Sequence, residues 1–419
     1  MLKAIHNRMC ALLLALMILF APGTALAAAP GTSTPDHVIL SWISDPATTM
    51  TVTWRTNTQT SASVIQYAAQ SGQSLTMPTS AAKVNGTVSS YSSSLGSMKI
   101  HNATLTKLKP NTGYIYRVGD GTHWSSVYQF KTEPLNDIDL KAVIFSDTQS
   151  GSSSSYSYSS WKTDLTSAVK RENPDFSIID GDLVEVGGSQ KHWEAWYSAV
   201  KGTLENLPLM PVVGNHDTYK TINNGAKPTA FTSQFTLPNN GPSGLKEQVY
   251  SFDYGPVHFV VLDSQGQEEG SKILTAQKEW LEKDLKATKQ TWKVVFFHKP
   301  PYPVKNDRTN SDVKAAFSPI LEKNRVDLVV NGHDHAVAHT YPIYNGKKAS
   351  STATGTIYAA IGRGGAKSYS DVSKKSYDVG FYNPKDQPVY SLLSVNGNKL
   401  QLISKKASGT IVDSITISK

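Results

Sequence analysis

The sequence predicts an all-β sandwich followed by a larger α/β layered domain, and three observations predict it. Between 30 and 134, six short segments rich in β-branched and aromatic residues are separated by turn material. From about 140 onward, apolar runs alternate with stretches of helical period. Five of those apolar runs stop at a carboxylate, amide or imidazole side chain. A chain of 419 residues is also too long for one small core and fits two domains.

Residues 1–27 stand apart. Lys3 and Arg8 give a positive start, 9–21 is an apolar run too short to span a bilayer comfortably, and Ala25-Leu26-Ala27 is a small-x-small cleavage site. This is the pattern of a secretory signal peptide. The single cysteine, Cys10, lies inside it, so the processed chain has neither disulfides nor a thiolate zinc site. Export without cysteine fits a bacterial protein of the cell wall or medium. Dropping Lys3 and Arg8, with no acid in that stretch, takes the formal charge from +8 to +6. Such modest basicity attracts anions, phosphate esters or wall polymers among them. No basic run carries interleaved aromatics, which excludes a nucleic-acid-binding domain, and no later stretch is apolar enough to span a membrane.

The sandwich strands are read at 38–42, 50–55, 63–67, 99–105, 114–118 and 127–132. In 50–54 the even positions Met50, Val52 and Trp54 are apolar, the alternation of a strand with one buried face. Turns such as Lys109-Pro110-Asn111-Thr112-Gly113 separate the strands. No acid/base cluster occurs here, so a scaffold, or docking to a cell-wall or protein partner, is the expected role. Residues 150–160 are nearly all Ser, Tyr and Gly, read as a loop over the site that begins at Asp147. Trp161, Leu165, Ala168 and Val169 mark one amphipathic helix; Trp280, Leu281 and Leu285 another; Val313, Ala316, Phe317, Ile320 and Leu321 a third. Strands at 356–361, 389–395, 400–404 and 410–417 are expected to complete a sheet of the same domain, 140–419.

The chemistry sits at the strand ends. Asp147 follows 143–146, Asp182 follows 178–181, Asn215-His216-Asp217 follow 209–214, His298 follows 294–297, and Gly332-His333-Asp334-His335 follow 328–331. Any one of these is an ordinary strand-to-loop turn. Their recurrence is not, because ligands gather outside the carboxyl ends of strands in open α/β sheets. Carboxylate, amide oxygen and imidazole suit borderline divalent or trivalent metals such as iron, manganese or zinc. There are more donors than one tetrahedral ion needs, which points to two ions roughly 3.5–4 Å apart.

The ordered set Asp147-Thr148-Gln149, Gly181-Asp182, Gly214-Asn215-His216-Asp217, His298 and Gly332-His333-Asp334-His335 resembles the calcineurin-like metallophosphoesterase superfamily. The segments 50–54 and 114–119 resemble the fibronectin type III-like N-terminal domain of purple acid phosphatases. The resemblance covers nearly all of the chain after residue 27. It implies that Asp182 bridges two metals, that Asp147 and His335 hold one, and that Asn215, His298 and His333 hold the other. It further implies a secreted phosphoesterase using a metal-bound hydroxide on mono- or diesters, with His216 as general acid and Asp217 holding its ring. The chain departs from the purple enzymes in two places. Glu185 stands where they carry a tyrosine, which removes the source of their colour, and Val337-Ala338-His339 replaces Tyr-Glu-Arg. Other superfamily members carry a histidine where this chain has Gln149, a weaker neutral ligand or a loop residue.

Several residues admit more than one role. Glu185 is a ligand, a supporting group or neither; Tyr302, His192 and His339 are pocket residues or ordinary packing; Arg363, between glycines, is an anion contact or part of a turn. The run Trp193, Trp196, Tyr197 reads as helix packing. Against the hydrolase stands a second function, a non-catalytic secreted or cell-surface binding protein built on the same fold, motivated by Gln149 and Glu185.

Overall fold

A computed structural model describes residues 30–135, 139–220 and 227–419. The signal-peptide reading of 1–27 lies outside the described residues. The N-terminal part is a sandwich of two four-stranded sheets. One carries Asp36–Ser41, Met50–Thr56, Gly96–Leu105 and Thr87–Ser93; the other Ala82–Asn85, Val64–Ala69, Gly113–Gly119 and Tyr128–Lys131. Met50, Val52 and Trp54 fill the interior as their alternation predicts. Two strands escape the sequence reading. Thr87–Ser93 and Ala82–Asn85 are polar and mostly exposed, so they have no buried face for an apolar period to announce.

Thr51, Thr53 and Arg55, on the opposite face of their strand, are also buried, because that face docks on the α/β domain. Thr53 Oγ1 donates to Thr236 Oγ1 at 2.8 Å, and Ser41 Oγ to the Thr236 carbonyl at 2.6 Å. The Arg55 guanidinium pairs with Asp36 at 2.7 Å and with Glu194 across the junction. Tyr116 Oη donates to the Glu205 carbonyl at 2.6 Å, and Trp42 meets Phe176 edge to face.

The α/β domain has two sheets face to face. The first runs Leu209–Val212, Phe176–Asp180, Leu140–Phe145, Val389–Asn396, Lys399–Lys406, Ile411–Ser418. Its first three strands are parallel, and the C-terminal strands join antiparallel along Leu140–Phe145. The second runs Tyr250–Tyr254, Val257–Val261, Trp292–Phe296, Leu328–Asn331, Ile357–Ile361, Val337–Thr340, Asp378–Tyr382, with four parallel strands at its centre. Val294, Phe296, Leu328 and Val330 point between the sheets. Val295, Phe297 and Val329 point outward and pack under helices Lys272–Ala287 and Ser311–Lys323 through Leu281, Leu285, Phe317 and Leu321. Burial on both faces is why these strands read as unbroken apolar runs. Helices Ser159–Glu172 and Gln190–Val200 cover the first sheet, with Trp161 edge-on to Phe145. Ser159–Glu172 stops at Asn173 in the left-handed region, just before Pro174. The architecture is the sandwich plus layered α/β domain that the sequence predicts. Among the described residues no helix is long and apolar enough to cross a membrane.

Candidate metal centre

The parallel strands of both sheets end at one rim. Asp147, Asp182, His333 and His335 each stand just beyond a strand end, and each has a positive φ, between 52° and 69°. Non-glycine residues rarely adopt this region, and held there by a surrounding fold they cluster at functional sites. Glycines let the strands come close enough. A Cβ on Gly332 would lie 1.8 Å from Ser146 Oγ and 2.8 Å from Asp147 Oδ2; one on Gly214 would lie 2.3 Å from Asp182 Oδ1.

The side chains then converge. Asp182 Oδ2 lies 3.2 Å from His298 Nε2, and Asp147 Oδ1 lies 3.0 Å from His335 Nε2. Asp182, His298 and His333 bring one donor atom each within 4.8 Å of one another, and so do Asp147, Asp182 and His335. Asp182 belongs to both groups. Burial would raise the Asp182 carboxyl, but the imidazoles of His298 and His216 hold it well below the carboxylate range. His298 is pushed up to about 10, against its burial, by Asp182 and Asp147.

Among the described residues four donor atoms at this rim are buried with no hydrogen bond outside the cluster: Gln149 Oε1 and Asn215 Oδ1, and Asp147 Oδ1 and His298 Nε2, which face only other members of the triads. Buried polar atoms without partners are costly, so a cluster of them marks a place for a bound group. All four are oxygen or imidazole donors, and together with the two triads they fit a pair of N/O-preferring metal ions. The remaining atoms of these residues are tied down. His298 Nδ1 meets the Asp180 carbonyl at 2.8 Å, His335 Nδ1 the Lys367 carbonyl at 2.8 Å, and Asn215 Nδ2 donates to Tyr219 Oη at 2.7 Å. These contacts turn Nε2 of each ring, and Oδ1 of the amide, toward the cluster. Gln149 donates from Nε2 to Asp182 Oδ2 at 3.2 Å, which places it inside the site.

His216 lies beside Asp182, on the side of half-buried Lys367. Its backbone N–H donates to Asp182 Oδ1 at 2.8 Å, its Nδ1 meets the Glu185 carbonyl at 2.7 Å, and its Nε2 is 4.0 Å from Asp182 Oδ2. Here the structure corrects one expectation. Asp217 does not hold the His216 ring: its carboxylate accepts the backbone N–H groups of Gly214 at 2.8 Å and Val184 at 3.2 Å. Burial, with the Asp182 charge, pushes Asp217 up to about 8. Glu185 orients His216 instead, through its carbonyl and an Oε1 at 3.5 Å, while its Oε2 accepts the Gly151 N–H that anchors the serine-rich loop.

Away from the rim, His192, Tyr302 and His339 are packing residues. His192 is buried between Tyr158 and the Ser153 carbonyl, Tyr302 packs on Tyr358 and Tyr377, and His339 pairs with Asp413 at 2.7 Å. Arg363 donates to the carbonyls of Pro384 and Gly365. Trp193, Trp196 and Tyr197 are buried helix packing. The sequence reading misses three residues at the rim: Tyr219, which fixes Asn215; Lys367, whose Nζ is 2.9 Å from His216 Nε2; and Tyr369, whose ring is 4.5 Å from that of His335. Tyr219 stands within reach of sequence reasoning, four residues beyond Asn215. Lys367 and Tyr369 have no motif to flag them.

Known proteins align with this arrangement. Residues 35–132 match the family described as Purple acid Phosphatase, N-terminal domain, and 140–337 that described as Calcineurin-like phosphoesterase. Among curated relatives, Probable purple acid phosphatase 20 of Arabidopsis thaliana is 29% identical over 342 residues, covering 79% of this chain and 74% of its own. Purple acid phosphatase 15 of the same plant is 27% identical, covering 64% of this chain and 53% of its own. The chain thus spans about half to three quarters of the length of these relatives. The solved structure of purple acid phosphatase PPD1 from yellow lupin (Lupinus luteus) seeds superposes with a TM-score of 0.76 at 20% identity, over 93% of this chain and 75% of that one, and shares its fold. With both matches in chain order over sandwich and rim, the chain carries a purple acid phosphatase N-terminal domain at 35–132 followed by a calcineurin-like phosphoesterase domain at 140–337.

Proposed function

We propose that this protein is an exported phosphoesterase that works with two metal ions. The observation that carries the reading is the pair of donor triads sharing Asp182, with four buried donor atoms that make no hydrogen bond outside the cluster. Asp182 would be shared between the ions, with Asp147, His335 and Gln149 placed to hold one and Asn215, His298 and His333 to hold the other. When bound, such a pair makes a nucleophile from water near neutral pH and polarises the phosphoryl oxygens. The protein's own residues do the rest. Glu185 and the Asp182 carboxylate fix His216 so that Nε2 is turned to the side of Asp182 and Lys367, where it would give a proton to the leaving oxygen. Asp217 acts one step back, by fixing the turn that carries Asn215 and His216. The signal-like residues 1–27 support export, and iron, manganese and zinc all suit the donors. The domains are taken as 30–134 and 140–419.

The test is turnover of p-nitrophenyl phosphate and its bis-ester by protein loaded with each metal, beside His216→Ala. Wild-type turnover that falls by about 100-fold or more in the variant is expected, the scale of a lost general acid. Full activity in His216→Ala would overturn its role, and a metal-loaded protein inert to both esters would favour the non-catalytic binding reading.

A further inference from the structure

We infer that Lys367 is a substrate-contacting residue that selects doubly charged phosphoryl groups, so that phosphomonoesters are favoured over phosphodiesters. The inference rests on the phosphoesterase reading and deepens it. Lys367 lies on the loop after strand Ile357–Ile361, and its two ends touch both halves of the site. Its carbonyl meets His335 Nδ1 at 2.8 Å, and its Nζ lies 2.9 Å from His216 Nε2. The backbone contact fixes where the side chain starts; the imidazole contact shows where it ends, beside His216.

Its charge sets it apart from its neighbours. Lys299 pairs with Glu268 at 2.7 Å, Lys305 with Asp307 at 2.6 Å and Asp371 at 2.7 Å, and Arg308 with Asp334 at 2.8 Å. Among the described residues the Lys367 ammonium has no carboxylate partner; Nζ meets the His216 ring, with the Tyr369 face 5.8 Å away. An ammonium has three donors. One can meet His216 Nε2 only while that nitrogen carries no proton, and at least two are left for a ligand, in a half-buried place where a charge-assisted bond is stronger than in water. A monoester offers one more non-bridging oxygen than a diester, and a second charge that ionises near pH 6. An unpaired cation beside the leaving-group histidine gains most from that difference.

The test compares metal-loaded wild type, Lys367→Met and Lys367→Arg. Binding of inorganic phosphate and of dimethyl phosphate is measured by calorimetry, and kcat/KM is measured on p-nitrophenyl phosphate and its bis-ester. Lys367→Met is expected to weaken phosphate by about 30-fold and dimethyl phosphate by about 3-fold, with Lys367→Arg recovering most of the loss, on the scale of a charged hydrogen bond. The ratio of monoester to diester kcat/KM should fall by about 10-fold in parallel. Equal weakening of both anions, or none, overturns the inference. Wild type that binds phosphate with this Lys367 dependence yet hydrolyses neither ester defeats the hydrolase reading and leaves the lysine's role standing. Turnover of both esters at an unchanged ratio does the reverse.

Discussion

Asn215 shows how a neutral side chain can be aimed at a cation. An amide has two ends of nearly equal size, and only one of them can face a cation. Tyr219 Oη accepts from Nδ2 at 2.7 Å, which leaves Oδ1 buried and unpaired toward the cluster. Tyr219→Phe keeps the ring and removes that anchor. Affinity for the ion on the Asn215 side is expected to fall by about 10-fold, as when other ligand-orienting partners are lost. Competition titration with a chromophoric chelator measures it; unchanged affinity would show that the turn alone orients the amide. The same logic explains Asp217. As a side chain next to His216 it looks like a ring partner, but its place in the turn aims it at Gly214 and Val184 amides. A backbone carbonyl does the orienting, and a carbonyl has no signature in a sequence.

At the scale of elements, the site depends on how closely strand ends approach. Gly332 ends its strand against Ser146 and Asp147, and a methyl group there would come within 1.8 Å of Ser146 Oγ, which leaves no room for one. Gly332→Ala is expected to cost about 1–3 kcal/mol, the scale of overpacking, and to lose metal with it. Urea unfolding and metal content check both; a variant as stable and metal-loaded as wild type would contradict the packing argument. A second element-level contact is pH-dependent. His258, on strand Val257–Val261 of the second sheet, lies between Asp253 at 2.6 Å and Asp284 of helix Lys272–Ala287 at 2.8 Å. Although burial alone would lower it, the two carboxylates push it up to about 9. A raised folded-state pKa means the stabilisation is complete below about 6.5 and lost as pH climbs through about 9. His258→Gln should therefore cost about 2 kcal/mol at pH 6 and much less at pH 9.5, with the half-exposed Asp253 discounted. Equal losses at both pH values would refute the charged-pair account.

The legibility of the sequence follows the same physics. Strands buried on both faces, such as Trp292–Phe296, and helices with a clear apolar stripe, such as Ser159–Glu172, announce themselves. Exposed Thr87–Ser93 does not. Asp147, Asp182, Asn215, His298, His333 and His335 are visible because polar groups break apolar runs at strand ends. Lys367 is not, since a lysine in a glycine-rich loop is usually solvated, and only the fold brings it beside His216.

Across the whole molecule, a buried cation ties the N-terminal sandwich to the layered domain. Arg55 joins Asp36 of its own sheet to Glu194 of helix Gln190–Val200. Arg55→Met leaves both carboxylates facing a closed junction, and a loss of about 2 kcal/mol is expected, less than for a fully buried pair because both acids keep some solvent. Denaturant unfolding reads it; a variant as stable as wild type would mean that Thr236 and Tyr116 contacts carry the junction. The layered domain then supplies the rim at which both sheets deliver donors around Asp182. Metal content per chain tests that arrangement most directly, measured by elemental analysis after reconstitution of wild type and Asp182→Asn. The account predicts about two ions in wild type and at most about one in the variant, since a shared carboxylate serves both. One ion or none in wild type, or two retained without the Asp182 carboxylate, would contradict it.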